Sequence, residues 1–254
     1  MEQKPYEPAY ESPLARGVAE DPRPWDLAAY IDAAAGPDSR ILDIGCGTAM
    51  KILPFAPRVR EIVGVEPSPS MRARAMSHVG RLALRNVHII DGRAENLPVP
   101  DESFDLLTSM LAAGDSPDEA YRVLEPGGHL ILEKLGEQDK ARLKSFFGSD
   151  KDGPRGQLSE LRPGERLRNL QASYARRFTV LLAREGTWDT FYTREGLKLL
   201  LENTPVVRGF NIAQDAGDLD EAAHALMTPR GICVPQHRVL IVARKELPAV
   251  SAGA

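Results

Sequence analysis

The chain has 254 residues, of which 43% are hydrophobic and 27% are charged. That apolar content is enough for a buried core and excludes an intrinsically disordered chain. No run of residues approaches the roughly 18 consecutive apolar positions that a membrane span requires. The polar start at residues 1–5 lacks the apolar segment of a secretory signal. A net charge of −4 argues against an obligate binder of nucleic acid or anionic membrane.

Cysteine and histidine usage narrows the chemistry further. Cys46 and Cys233 lie far apart and form no disulfide framework or CxxC pair, so we expect a reducing, cytoplasmic environment. The five histidines form no helical i,i+4 pair and no cluster with cysteine. The sequence therefore predicts no metal site.

The N-terminal segment, residues 1–24, carries five prolines and the aromatic residues Tyr6 and Tyr10. It is either a plain tail or a segment that docks on the body as a lid. From residue 25 onward, apolar periodicity predicts regular elements. They are a helix at 25–35, a strand at 40–44, a helix around 50–55, a strand at 61–65, a helix opened by Ser68 and Pro69, and strands at 87–90, 104–109 and 129–133.

Strands that alternate with helices imply right-handed crossovers and a mostly parallel sheet. After residue 133 the alternation stops, and residues 135–177 are predicted to be a partly helical insertion. An apolar run at 178–183, a helix at 193–202 and a last strand at 238–243 follow. We therefore expect one domain over residues 25–247 and a disordered tail at 248–254.

A glycine-rich turn follows the first predicted strand, where residues 41–49 read ILDIGCGTA. Its glycines allow a sharp turn and close backbone approach to a ligand, and a following helix N-terminus suits an anionic group. Position 50 is methionine rather than the third glycine of the dinucleotide fingerprint. Asp43 ends the strand before the turn, and Glu66 ends the next strand, where a carboxylate can accept both hydroxyls of a ribose.

With these features the sequence resembles the class I S-adenosylmethionine-dependent methyltransferases. Four ordered segments carry the resemblance, namely DIGCG at 43–47, VGVEPS at 63–68, DGRAENLPVPDESFD at 91–105 and RVLEPGG at 122–128. The resemblance implies an α/β, Rossmann-like, seven-stranded, mostly parallel sheet with helices on both faces and an antiparallel last strand. It also implies S-adenosyl-L-methionine as the cofactor.

The resemblance assigns roles along the motifs. The backbone at Gly45, Cys46 and Gly47 would cradle the methionine part of the cofactor, Asp43 would orient its ammonium, and Glu66 would accept the ribose hydroxyls. The remaining cofactor contacts would come from Pro67, Met71, Arg93, Ala94 and Glu95 around the adenine, and from Ser109 and Met110 at the far wall. Cys46 itself is interpreted as a small packing residue.

Two positions depart from the family pattern. Ala49 stands where the third glycine is usual, a change that a tight turn can absorb. Arg93 stands where many relatives carry an aspartate for the adenine amino group, and arginine cannot accept that hydrogen bond. Arg93 therefore either stacks on the adenine or is a solvated surface residue.

Further residues are candidates for acid–base chemistry and for contact with the methyl acceptor. Asp115 is a candidate general base, with a helix N-cap region as the alternative reading. An aromatic acceptor pocket closed by the N-terminal segment would be lined by Tyr6, Tyr10, Trp188, Phe191 and Tyr192. These features predict methyl transfer to an O, N or C nucleophile of a small molecule. An RNA or protein methyltransferase, supported only by the arginines of residues 151–177, and a non-catalytic cofactor-binding module remain the alternatives.

Overall fold

The computed structural model describes residues 18–20, 22–156 and 159–247. Its strands are β1 Val18–Glu20, β2 Arg40–Ile44, β3 Glu61–Val65, β4 Val87–Ile90, β5 Phe104–Met110, β6 Leu124–Leu135, β7 Ser149–Asp150, β8 Gly153–Pro154, β9 Thr179–Tyr192, β10 Met227–Thr228 and β11 Gly231–Arg244. Its α-helices are α1 Leu27–Ala34, α2 Pro69–Arg81, α3 Pro117–Val123, α4 Ala141–Lys144, α5 Glu165–Tyr174, α6 Arg194–Asn203 and α7 Ile212–Ala225.

The main sheet has the strand order β1-β9-β11-β6-β5-β2-β3-β4, with β10 paired to β11. Strands β4, β3, β2, β5 and β6 pair in parallel with one another. The last strand, β11, is antiparallel to β6. At the end of this pair, the amide of Gly127 donates to the carbonyl of Lys245, and the amide of Lys245 donates to the carbonyl of Gly128. The α/β, mostly parallel fold predicted from the sequence is confirmed, and the short strands β1 and β10 extend the predicted seven.

The described residues divide into two compact units. The first unit comprises residues 26–134, 167–184 and 239–247, and its core contains apolar side chains from the central strands, such as Leu42, Leu107 and Leu130. The second unit comprises residues 18–20, 22–25, 135–156, 159–166 and 185–238. Its separate core is built mainly from α6, α7 and the start of β11.

Several predicted boundaries were wrong, and the physical reasons differ. The helix expected around 50–55 is a 3-10 helix at Leu53–Arg58, because Pro54 and Pro57 cannot donate the backbone hydrogen bonds of a longer α-helix. Strand β9 continues to Tyr192 instead of ending at 183, and β11 begins at Gly231 instead of 238. Helix α7 and strand β10 lie in a stretch for which no element was predicted.

Candidate cofactor site

The turn between β2 and the 3-10 helix has a backbone that favours glycine. Gly45 and Gly47 have φ angles of +66° and +58°, in the left-handed region that side chains disfavour. A Cβ at position 45 would lie 2.4 Å from the Cβ of Ala112, so the site has no room for a side chain. The amides of Gly45 and Cys46 both donate to the carbonyl of Val65, at 2.8 and 3.1 Å. These bonds fasten the turn to the end of β3.

Ala49, which replaces the usual third glycine, also adopts a left-handed conformation, with a φ of +63°. Its side chain is buried, and its amide donates to the carbonyl of Cys46 at 2.8 Å. An alanine in this region costs roughly 1–2 kcal/mol. The turn thus retains its left-handed backbone with alanine at this position.

Glu66 lies at the carboxyl end of β3 and is held on both of its oxygens. Its Oε2 accepts the amide of Gly47 at 3.0 Å, and its Oε1 accepts the amide of Ser68 at 2.9 Å. Arg72 donates to the Glu66 carbonyl at 2.8 Å and to Asp91 Oδ1 at 2.7 Å. A carboxylate has about four acceptor positions. Two positions on Glu66 therefore remain for hydroxyl groups of a ligand.

Asp43 is the buried acid at the end of β2, with 2% of its surface exposed. Burial raises its pKa to about 7, although Thr108 donates a hydrogen bond to Oδ1 at 2.8 Å and the charge of Lys51 opposes the shift. Thr108 is the residue opposite Asp43 in the β2–β5 register. A buried carboxyl group with a pKa near neutrality is suited to a cationic ligand group, which would stabilise its ionised form.

Cys46 lies in the turn as a packing residue rather than a nucleophile. Burial raises the pKa of its thiol, and the nearby charges of Asp43 and Glu66 raise it further. Its Sγ would lie 2.8 Å from a Cβ placed on Gly64, so it fills the space that this glycine leaves on β3. Because the thiolate is the reactive form, covalent catalysis by this residue is disfavoured.

The residues predicted around the adenine are grouped at the ends of β3 and β4. Met71 and Ala94 are buried, whereas Pro67, Arg93 and Glu95 are exposed. The turn after β4 is closed by an isolated β-bridge between Arg93 and Asn96. Ser68 caps α2, accepting the amide of Met71 on its Oγ, as predicted.

The residues predicted to form the far wall of the cofactor site lie at the end of β5. They are Ser109 and Met110, and both are buried. Within the described part of the chain, the Oγ of Ser109 has no hydrogen-bond partner. A buried hydroxyl without a partner is costly, which makes Ser109 a candidate for a polar contact with a ligand.

The loop that follows β5 is held by Lys134, which sequence reasoning missed. The Lys134 ammonium donates to the carbonyls of Ala112 and Gly114, at 2.8 and 2.6 Å, and its side chain is almost fully buried. Leu111 begins this loop with a φ of +68°. A lysine at the end of an apolar strand gives no distinct sequence signal, because its acceptors are backbone carbonyls.

Asp115 ends this loop, and the next residue forms the cap of α3. The Oγ of Ser116 accepts the amide of Glu119, so Ser116 rather than Asp115 is the N-cap. Asp115 is half-buried, and its charge adds to burial in raising the pKa of the Tyr174 hydroxyl. The role of Asp115 as a general base stays a prediction.

The aromatic residues predicted to bind the acceptor lie in the second unit. Trp188, Phe191 and Tyr192 are all buried. Trp188 packs edge-to-face on Trp25, with ring centroids 6.4 Å apart, and the Arg230 guanidinium lies 4.1 Å from the centroid of Phe191. Tyr6 and Tyr10 lie outside the described residues. An acceptor contact for these aromatics stays a prediction.

The glycine turn and the adjoining strand ends of the first unit present open space and unused polar atoms. A Cβ built on Gly47 would meet no heavy atom of the described residues within 4 Å, so this part of the turn borders open space. Glu66 retains acceptor capacity, and the Oγ of Ser109 lacks a partner. These features fit a ligand with a ribose and a cationic amino-acid group.

Comparison with known proteins identifies the same region. Residues 42–132 match the family model described as a methyltransferase domain. The chain is 38% identical over 114 residues to the uncharacterized methyltransferase YcgJ of Bacillus subtilis, covering 42% of this chain and 45% of that protein. It is 37% identical over 119 residues to demethylmenaquinone methyltransferase of Deinococcus radiodurans, covering 43% and 48%. The chain thus spans about half the length of the curated relatives it matches.

Solved structures extend the likeness in fold to most of the chain. The crystal structure of YcgJ from Bacillus subtilis aligns with a TM-score of 0.60 at 23% identity, covering 87% of this chain and 97% of that one. The [4+2]-cyclase SpnF aligns with a TM-score of 0.53 at 20% identity, covering 87% and 80%. At these identities the likeness concerns the fold alone.

Among the described residues, no helix combines the length and the apolar character needed to cross a bilayer.

Proposed function

We propose, on the premise that residues 42–132 match the family model of a methyltransferase domain, that the chain transfers a methyl group from S-adenosylmethionine to a small molecule. The acceptor atom would be an oxygen, nitrogen or carbon nucleophile. Several matched relatives are named demethylmenaquinone methyltransferases, a name that specifies a small-molecule acceptor. This supports a small molecule over RNA or protein as the acceptor class.

The observation that carries the proposal is the pair of carboxylates on either side of the glycine turn. Asp43 would accept a hydrogen bond from the ammonium group of the cofactor. Glu66 would accept hydrogen bonds from the ribose hydroxyls at the acceptor positions that are not used by the amides of Gly47 and Ser68. The open face of Gly47 would allow the backbone to approach the ligand closely. Ser109 would supply a further polar contact through its Oγ.

Methyl transfer from this cofactor requires little acid–base catalysis by the protein. When bound, S-adenosylmethionine supplies a methyl group on a positively charged sulfur, which is already electrophilic. The residues of this chain would orient the donor, hold the acceptor in line and exclude water. Asp115 is the candidate to take a proton from an acceptor that must be activated. Cys46 is excluded from this role because burial raises the pKa of its thiol.

Two measurements test the proposal. Calorimetry with S-adenosylmethionine should give micromolar affinity, roughly −8 kcal/mol, and Glu66→Ala should weaken it. Transfer of a labelled methyl group should then be followed into a metabolite extract, total RNA and total protein. Label in the metabolite fraction supports the proposal, whereas label in RNA or protein refutes the acceptor class. Binding without any transfer would favour a cofactor-binding module, since a cyclase shares the fold.

A further inference from the structure

Three side chains with metal-binding atoms meet in the second unit, outside the candidate cofactor site. Glu137 follows β6, Glu185 lies in β9, and His237 lies in β11. One ligand atom from each lies within 4.8 Å of the other two. No spacing pattern in the sequence signals this cluster, because the three residues come from distant parts of the chain. The prediction of no metal site rested on such patterns alone.

The buried carboxylate of Glu137 provides independent evidence for a further ligand at this cluster. Its side chain is 2% exposed, and its Oε1 accepts the amide of Gly164 at 2.6 Å. Its Oε2 has no hydrogen-bond donor among the described residues, and the Nδ1 of His237 lies 4.0 Å away. A buried carboxylate oxygen without a partner is costly. A cation placed between Oε2 and the imidazole would remove that cost.

The orientation of the His237 ring is set by its neighbours. A Cβ on Gly136 would lie 2.3 Å from ring atoms, so the ring packs against the bare backbone of this glycine. Nδ1 accepts the amide of Gln138 at 3.1 Å, which places the proton of the neutral ring on Nε2. Nε2 lies 3.5 Å from Glu185 Oε2 and faces a carboxylate.

From this geometry we propose that His237 and Glu137 hold a divalent first-row transition metal ion. The ion binds His237 Nδ1 and Glu137 Oε2, while Nε2 donates its proton to Glu185. Metal-bound histidines characteristically donate their other ring nitrogen to a carboxylate in this way. The imidazole ligand favours ions such as Zn²⁺, Ni²⁺ or Co²⁺ over Ca²⁺ and Mg²⁺.

Binding requires only local adjustment. With metal–ligand bonds of about 2.0–2.1 Å, neighbouring ligand atoms in a tetrahedral site lie roughly 3.4 Å apart. The present separation of 4.0 Å must therefore close slightly. The amide of Gln138 leaves Nδ1 and passes to water, because Gln138 is exposed. The remaining coordination positions stay open to water or to an oxygen ligand.

Titration of the full, metal-stripped chain with CoCl₂ tests the proposal by calorimetry and visible absorbance. We expect one Co²⁺ per chain with micromolar affinity. Glu137→Gln keeps an acceptor for Gly164 and should weaken binding at least tenfold. Glu185→Gln changes an exposed side chain and should weaken it by about 10- to 100-fold, the usual effect of removing an outer-shell carboxylate. His224→Gln, at an exposed histidine of α7 in the same unit, is the matched control and should bind like the parent.

Circular dichroism and thermal unfolding establish that each variant is folded. NMR of the histidine ring protons adds a readout in the unmodified chain, in which Co²⁺ should shift or broaden the His237 signals before those of His224. Absence of saturable binding up to 1 mM Co²⁺ would overturn the proposal. Equal affinity of the parent and folded Glu137→Gln would do the same. No methyl donor is needed, so either outcome is independent of the proposed methyl transfer.

Discussion

The substitution Asp43→Asn should stabilise the ligand-free protein at high pH and weaken its binding of S-adenosylmethionine. Asparagine has nearly the shape of aspartate, and its Oδ1 can still accept the hydroxyl of Thr108. It cannot carry the buried negative charge that burial disfavours. The same charge is the proposed partner of the cofactor ammonium. Stability and binding should therefore change in opposite directions.

The magnitude follows from the raised pKa of Asp43, about 7 in the folded chain against a reference value of 3.8. Below the reference value the group is protonated in both states. Between the two values the unfolded chain is ionised while the folded chain keeps its proton, so stability falls by about 1.4 kcal/mol per pH unit. From pH 5 to pH 7 the loss is about 2.3 kcal/mol, since the group is half ionised in the folded chain at pH 7, and by pH 8 the loss approaches its limit.

Urea unfolding of the parent and Asp43→Asn at pH 5 and pH 8 measures this effect directly. The stability difference in favour of the variant should grow by about 2.7 kcal/mol between the two pH values. Asp38→Asn, at an exposed aspartate of the same unit, serves as the control. Calorimetry of the same samples should show weaker cofactor binding for Asp43→Asn. A stability difference that is equal at pH 5 and pH 8 would refute the reasoning.

Four further outcomes are expected. Glu66→Ala should weaken cofactor binding by about 1.5–3 kcal/mol in calorimetry, because hydrogen bonds to a charged group are lost; unchanged affinity would contradict its role. Gly45→Ala should lower the denaturation midpoint and cofactor affinity together, since its Cβ would meet Ala112 at 2.4 Å; a parent-like midpoint would count against this steric argument. If Arg93 stacks on the adenine, Arg93→Ala should weaken binding in calorimetry while Arg93→Asp need not; parent-like affinity in both variants would make it a surface residue. Deletion of residues 1–17, which keeps β1, should reduce methyl transfer far more than unfolding stability, and normal turnover would contradict a lid role for this segment.

The parts of the fold that sequence analysis predicted well are those with short-range signals. Strands β2 and β3 were predicted with their observed bounds, because each is a short apolar run between turns. The start of α2 was also correct, since Ser68 and Pro69 are a local capping signal. The glycine turn and its two acids were found for the same reason, as all lie within or directly after these strands.

The parts that sequence analysis missed depend on contacts between distant residues. Strand β9 continues through Arg184, Glu185 and Gly186, a polar stretch that local propensity assigns to a loop. Strand β11 contains Pro235, which normally argues against a strand. The hydrogen bond from Thr108 to Asp43 could not be foreseen either, because it depends on the register between two strands.

The pairing of β1 with β9 has a consequence for behaviour in solution. Residues Phe191 and Tyr192 of β9 face Glu20 and Val18 of β1 in antiparallel register. An uncovered strand edge exposes backbone groups that can pair with another molecule. Because β1 is only three residues long, it covers the Phe191–Tyr192 end of this edge while presenting little of its own backbone. Deletion of residues 1–20, which removes β1, should therefore promote self-association, which light scattering of the truncated protein at increasing concentration would detect.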